Sequence, residues 1–308
     1  MIPIDYLITI ILFASIYAIF SLGLNLEWGY TGLLNFGHVA FLAIGAYATV
    51  LLSLKGVPLV LSVVSGIILA GLFGFLLGIP TLRLRADYLA IVTIGFSEIL
   101  RLFLLNEEWL TRGPFGLHGF PRPLSLYIPY KDYNLFLLIL VLATLFLIYI
   151  ILSVMVNSPW GRVLKSIRED EDVASALGKN VFSYKIQSLV IGSAISGLAG
   201  AFLAFYIQYI NPRLFVPMET FYAWIIVVLG GSANNKGTIL GAIILQIFFS
   251  GTRFMESSVP LSSHQMGALR IMVIGLLLII LMMYKPEGLL GQEVSRQLMA
   301  AALMWKNA

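Results

Sequence analysis

From Tyr6 to Leu26, from Gly56 to Leu82 and from Asn134 to Val156 the chain carries no charged side chain. A helix needs about 20 consecutive apolar residues to cross the hydrocarbon core of a bilayer. Each of these runs is that long. Only 11% of the 308 residues are charged, against about 25% in soluble domains, so there is too little charge to cover a water-facing surface. The composition therefore argues against a soluble enzyme, and the length leaves room for roughly nine spans. The expected fold is all-α: a polytopic membrane protein of about nine transmembrane helices (eight to ten), some short or broken.

The runs and their interruptions place helices at about 5–26, 37–54, 58–80, 88–105, 134–156, 186–208, 218–230, 237–252 and 267–284. Basic residues collect on cytoplasmic loops, and this sets an orientation. If the loop at 157–185 is cytoplasmic, alternation puts Arg83, Arg85, Arg162, Lys165, Arg168, Lys179, Lys185, Lys236, Lys285, Arg296 and Lys306 inside. Lys55, Arg112, Arg122, Lys131, Arg213 and Arg253 then lie outside. Eleven against six favours an external N-terminus and a cytoplasmic C-terminus. The same rule accounts for the net charge of +4 without a nucleic-acid partner. The first residues, MIPID, lack the basic segment of a signal peptide, so the first apolar run is expected to be retained. One transmembrane domain is expected over 1–290, followed by a tail at 291–308.

The sequence has no cysteine, which excludes disulfides and thiolate chemistry. Its three histidines, His38, His118 and His264, do not stand at metal-ligand spacing, and no nucleophile, base and orienting group occur together. Neither a metal nor a catalytic centre is expected. The outer loop from Asn106 to Tyr133 is rich in proline and glycine; it reads either as a lid or docking surface or as a plain connector.

The segment SPWGRVLKSIREDEDVASALGKNVFSYK, residues 158–185, is the most informative. Ser158 before Pro159 is a helix start, and Gly178 is a stop. Between them Val163, Ile167, Ala174 and Leu177 form an apolar stripe, opposite Arg162, Lys165, Arg168, Glu169 and Asp172. The acidic run from Glu169 to Asp172 opposes contact with anionic lipid and favours docking on another protein.

This segment resembles the loop by which ABC importer permeases engage their ATPase subunits, in Asp172-Val173-Ala174-Ser175-Ala176-Leu177-Gly178. Two further blocks extend the likeness. One comprises Gly23-Leu24-Asn25-Leu26, Gly29 to His38 and Gly45-Ala46-Tyr47; the other is Thr81 to Tyr88 with Glu98 and Arg101. Together they are similar to the branched-chain amino-acid permeases, most of all the LivM-like member of the LivH/LivM pair. The general importer loop begins Glu-Ala-Ala and continues to Leu-Pro, and this chain departs from both features.

The resemblance implies an importer in the bacterial inner membrane, with a second LivH-like permease, two ABC ATPases and an extracytoplasmic amino-acid-binding protein. It implies a coupling role for Arg162, Arg168, Glu171, Ala174, Leu177 and Gly178. Gly178-Lys179 is followed by Asn180, and no phosphate-binding loop occurs. ATP and Mg are therefore expected on the partner ATPases, with no cofactor on this chain.

The pathway candidates are Asn25, Asn35, His38, Glu98 and Arg101. Glu98 and Arg101 share a helix face and read either as a gate or as a structural ion pair. Glu98 is expected to be the only deep carboxylate. His38 reads as a hydrogen-bonded structural residue more readily than as a proton carrier. Asn25 to His38 and Gly230 to Gly237 are glycine- and asparagine-bearing interruptions, which are either tight cytoplasmic turns or broken helices at membrane depth. Gly192, Ser193, Ser196, Gly197 and Gly200 form a small-residue stretch for close packing. Tyr17, Trp28, Trp109, Trp224 and Tyr284 are expected as interfacial anchors. Within the same family a urea or short-amide permease is the alternative; in another class it is an ion-coupled secondary transporter.

Overall fold

The computed structural model describes residues 4–82, 86–125, 127–256, 263–284 and 288–290. Helices overlap every expected apolar run: α1 (Ile4–Leu24), α2 (Val39–Leu54), α3 (Leu59–Thr81), α4 (Ala86–Asn106), then a short α5 (Glu108–Thr111) and α6 (Tyr133–Asn157). The connecting loop holds α7 (Pro159–Glu169) and α8 (Glu171–Ala176), and α9 (Val181–Ile207), α10 (Pro217–Gly230), α11 (Asn235–Glu256) and α12 (Ser263–Tyr284) follow. Among the described residues six helical segments are long and apolar enough to cross a membrane: Ile4–Tyr30, Leu59–Thr81, Tyr88–Asn106, Tyr133–Asn157, Val181–Ile207 and Pro212–Gly230. α2 is apolar but shorter. Among the described residues the only strands are one antiparallel pair, β1 (Leu117–His118) with β2 (Tyr209–Ile210), which ties the 106–133 loop to the end of α9.

α9 lies at the centre, packed against α1, α2 and α3. Its small residues make this approach: a Cβ on Gly45 of α2 would overlap the Gly197 backbone, one on Gly197 would overlap Ala70 of α3, and one on Gly200 would overlap the Leu42 carbonyl. The small-residue stretch Gly192, Ser193, Ser196, Gly197 and Gly200 is thus buried inside this chain. Outward faces are apolar, with Val60, Ile68 and Phe75 of α3 and Ile139, Phe146 and Val154 of α6 exposed. Inverted amphipathicity of this kind is stable where the surrounding medium is lipid or protein.

Loops sort to two ends. Leu33, Leu82 and Leu89 cluster beside Phe182 and Ile186. Leu289 and Leu290 donate backbone bonds of 2.9 and 3.1 Å to Leu229 and Gly230. The 30s, the 157–185 loop, the turn after α10 and residues 288–290 therefore share one end, and 106–133 with 208–216 form the other. Arg83, Arg85, Lys285, Arg296, Lys306 and the tail lie outside the described residues, as does the side chain of Arg253.

The 157–185 loop departs from the single helix expected over 158–178. Asp170 is extended (φ −158°, ψ 112°) and breaks it. Its carboxylate caps α8, accepting from the amides of Asp172 and Val173 at 2.9 and 3.0 Å. The local bond competes with continued helix, as aspartate favours. The break also rearranges the expected stripe: Leu164, Ile167 and Ala174 are buried, whereas Val173 is 55% and Leu177 73% exposed. Ser158 occupies the cap position as expected, but its hydroxyl donates back to Met155 O at 2.6 Å.

Candidate functional site

α1 does not end at Leu24. It continues as a wider π-helical turn, Asn25–Tyr30, and the chain then folds back as a non-helical strand of residues before α2 starts at Val39. His38 stacks on Phe20 with ring centroids 4.8 Å apart, and its Nε2 lies 3.1 Å from Phe20 O. Phe20 precedes Tyr30 by ten residues, about 15 Å of helix. The interruption is therefore a re-entrant segment inside the bundle, not the tight terminal turn that was the alternative.

Irregular backbone at such depth is tolerated only where protein satisfies its polar groups. Here side chains from three other helices do so. The Phe36 amide donates to Thr93 of α4 at 3.1 Å, and the Val39 amide to Thr220 of α10 at 2.9 Å. Trp224 Nε1 donates to Asn35 O at 3.2 Å. Thr31 and Ser188 of α9 share a 2.7 Å hydroxyl contact, and both hydroxyls reach Leu26 O. Gly37 is required because a Cβ there would overlap the Thr93 carbonyl.

At the centre is Glu27, which the sequence reading passed over. It is 0% exposed. One carboxylate oxygen accepts from Asn35 Nδ2 at 2.7 Å and lies 3.2 Å from His38 Nδ1, and His38 is equally buried. Asn35 Oδ1 in turn accepts from the Gly37 amide at 2.9 Å. The other carboxylate oxygen has no hydrogen-bond partner among the described residues and faces Gly192, where a Cβ would overlap it. Glu98 is thus not the only embedded carboxylate: Glu27 is deeper, and Glu219 of α10 accepts a 2.5 Å bond from Tyr17 in the middle of α1. The signal for Glu27 was available as an acid following an uncharged run and preceding two glycines.

The second interruption meets the first. Asn25 Nδ2 donates to Asn235 Oδ1 at 3.0 Å, and the Ala233 amide donates to Asn25 Oδ1 at 3.0 Å. Gly29 packs so closely on the Ala233 amide that a Cβ would lie 2.7 Å from its nitrogen. Of the five pathway candidates, Asn35 and His38 meet at Glu27, and Asn25 joins the two interruptions through Asn235 and Ala233. Glu98 and Arg101 do not: they pair with each other on α4, Nε to Oε2 at 2.9 Å, with Glu98 40% exposed. Trp28, Phe36, Trp224 and Phe221 form an aromatic ladder along the re-entrant segment, with centroids 4.5 to 5.6 Å apart. Trp28 and Trp224 thus stack on each other within the chain, and Trp224 and Tyr17 also donate hydrogen bonds inside it. Trp109 and Tyr284 remain 80% and 81% exposed.

Arg168 connects the 157–185 loop to both interruptions. Its guanidinium donates to Gly29 O of the π-helical turn, and Nη2 reaches Ser232 Oγ at 3.1 Å. Burial pulls its pKa below the ordinary arginine value, against the opposing pull of Glu169 and Tyr30. Arginine stays charged regardless. Lys165 lies over the Tyr30 ring, 5.7 Å from its centroid. Glu171 pairs with Lys185 at the start of α9, and Ala174 is buried. Arg162, Leu177 and Gly178 point outward, Gly178 at φ +77°.

Comparison with known proteins bears on what this arrangement serves. The family described as "Branched-chain amino acid transport system / permease component" matches residues 6–282. The high-affinity branched-chain amino acid transport system permease protein LivM of Escherichia coli K12 is 33% identical over 89% of this chain and 68% of its own length. The probable branched-chain amino acid transport permease protein LivM of Methanocaldococcus jannaschii is 28% identical over 94% of both chains. The LivH permease of Salmonella typhimurium is 25% identical over 90% of this chain and 92% of its own length. No solved structure matches. The chain belongs to the branched-chain amino acid transport permease family, LivM-like, and is a transport subunit rather than an enzyme.

Proposed function

We propose that this member of the branched-chain amino acid permease family is one transmembrane subunit of an ATP-driven importer for branched-chain and other neutral amino acids. It pairs with a LivH-like permease, receives substrate from an extracytoplasmic binding protein, and sits on two ABC ATPases that hold ATP and Mg. Residues 1–290 form the permease domain with nine spans, and 291–308 form a cytoplasmic tail. The protein lies in the bacterial inner membrane with its N-terminus outside and its C-terminus inside, so that the end carrying 157–185 is cytoplasmic.

The observation that carries the reading is the position of Arg168, which holds the loop to Gly29 and to Ser232 at once. A push on α7 and α8 reaches both interruptions through that one side chain. From Gly29 the route runs to Asn25 and Glu27, then to Asn35, His38 and the start of α2. Val173 and Leu177, apolar and exposed beside Glu169 and Asp172, supply a docking tip for an ATPase surface, with Arg162 and Glu171 at its rim. Alternating access then consists of the re-entrant segment and α10 shifting against α1 as the ATPases close.

Gly178 has a left-handed backbone that proline cannot adopt, and Leu177 is the most exposed apolar side chain of the loop. Leu177→Asp and Gly178→Pro should still insert into the membrane yet abolish ATP-driven leucine uptake by the reconstituted complex. Normal uptake in both variants would overturn the coupling assignment.

A further inference from the structure

We propose that the cavity enclosed by α1, α10, α11 and α12 is a transient binding site for a zwitterionic apolar amino acid, with Arg270 as the anchor for its carboxylate. This rests on the amino-acid permease reading above and adds to it a site separate from the Glu27 cluster.

Arg270 is the only formally charged residue between His264 and Lys285. A cation within a span costs roughly 2.5–3.5 kcal/mol on insertion scales, so such residues face a cavity or a partner and mark sites. Arg270 lines a cavity of about 230 Å³. Its Nε is shielded from solvent and has no hydrogen-bond partner among the described residues, while its guanidinium lies 5.8 Å from the centroid of the Phe249 ring. An arginine with its Nε donor unpaired beside a cavity is matched by a carboxylate, which can accept hydrogen bonds from a guanidinium.

The rest of the lining supplies what the other end of such a ligand needs. Tyr17 borders the cavity, and its hydroxyl, which donates to the acid Glu219 at 2.5 Å, presents an oxygen that can accept a hydrogen bond from an ammonium group. Phe13, Ile226 and Leu245 form the apolar wall. One cation, one nearby acid, hydroxyl groups and an apolar wall are the few convergent polar groups in an apolar pocket that recognise a small amphoteric solute.

The test uses the whole complex in proteoliposomes: both permeases, the ATPases and the binding protein. A photoactivatable leucine with a diazirine in its side chain is delivered through the binding protein and irradiated during turnover. Labelling at Phe13, Leu245 or Phe249 is expected. Uptake of the analogue with labelling confined to other parts of the chain, or labelling of these positions only by a diazirine phospholipid, overturns the site. In parallel, Arg270→Gln should lower leucine uptake at least about tenfold, and Arg270→Lys should restore part of it; wild-type uptake by Arg270→Gln overturns the proposal. If Arg270→Gln fails to co-purify with its partners, the labelling of the wild-type complex decides. A wild-type complex that takes up no amino acid would instead remove the underlying permease reading, so the two failures are distinguishable.

Discussion

Glu27 is the residue on which the local structure turns. A carboxylate removed from water is tolerated only with close partners; Asn35 donates to it at 2.7 Å, and His38 Nδ1 lies 3.2 Å away, an ion pair when the imidazole is protonated. Both partners sit on the re-entrant segment, so the acid that needs them also pins that segment to the π-helical end of α1. Removing one partner of a buried pair strands the other and costs about 3–5 kcal/mol, whereas replacing both by groups of similar shape costs much less. His38→Leu should accordingly destabilise the purified permease by about 3 kcal/mol. Glu27→Gln combined with His38→Leu should recover most of that loss. Thermal unfolding in detergent of the two single variants and the double variant checks this. Additive losses would mean that Glu27 and His38 do not interact.

At the scale of elements, the loop and the interruptions form one unit because Arg168 spans them. Arg168→Met keeps the aliphatic stem but removes the donors to Gly29 and Ser232. It should raise amide hydrogen exchange across α7 by an order of magnitude or more while α6 and α9 keep their protection. Unchanged exchange would show that packing of Leu164 and Ile167 alone holds the loop. Element positions were legible in the sequence because apolar runs and their glycine, proline and asparagine punctuation follow directly from the need to bury or solvate backbone. The contact of Asn25 with Asn235 and Ala233 was legible only as two interruptions of similar composition, since it depends on how α1, α10 and α11 pack. Three features escaped. The break at Asp170 depends on a side chain outcompeting helix for two amides, which apolar spacing does not register. Glu27 and Arg270 sit where a hydropathy pattern records only a polar interruption, and their importance arises from neighbours distant in sequence. Glu98 was the reverse case: central in its run, yet on a face of α4 that leaves it 40% exposed.

For the whole molecule, the packed centre and the functional elements share helices. α9 buries its small residues against α2 and α3 while its Gly192 and Ser188 border Glu27 and Leu26, so the rigid core also walls the polar cluster. The presence of Glu27 and Glu219 beside Glu98 removes the expectation that a single deep carboxylate speaks against ion coupling. The choice between energy sources therefore rests on family membership and on the shape of the 157–185 loop. The direct test is uptake of labelled leucine, alanine and urea by cells with and without this chain, under ATP depletion and, separately, under a protonophore with ATP maintained. The account predicts chain-dependent uptake of leucine and alanine but not urea, lost with ATP and retained under the protonophore. Uptake that collapses with the protonophore while ATP is held would contradict it.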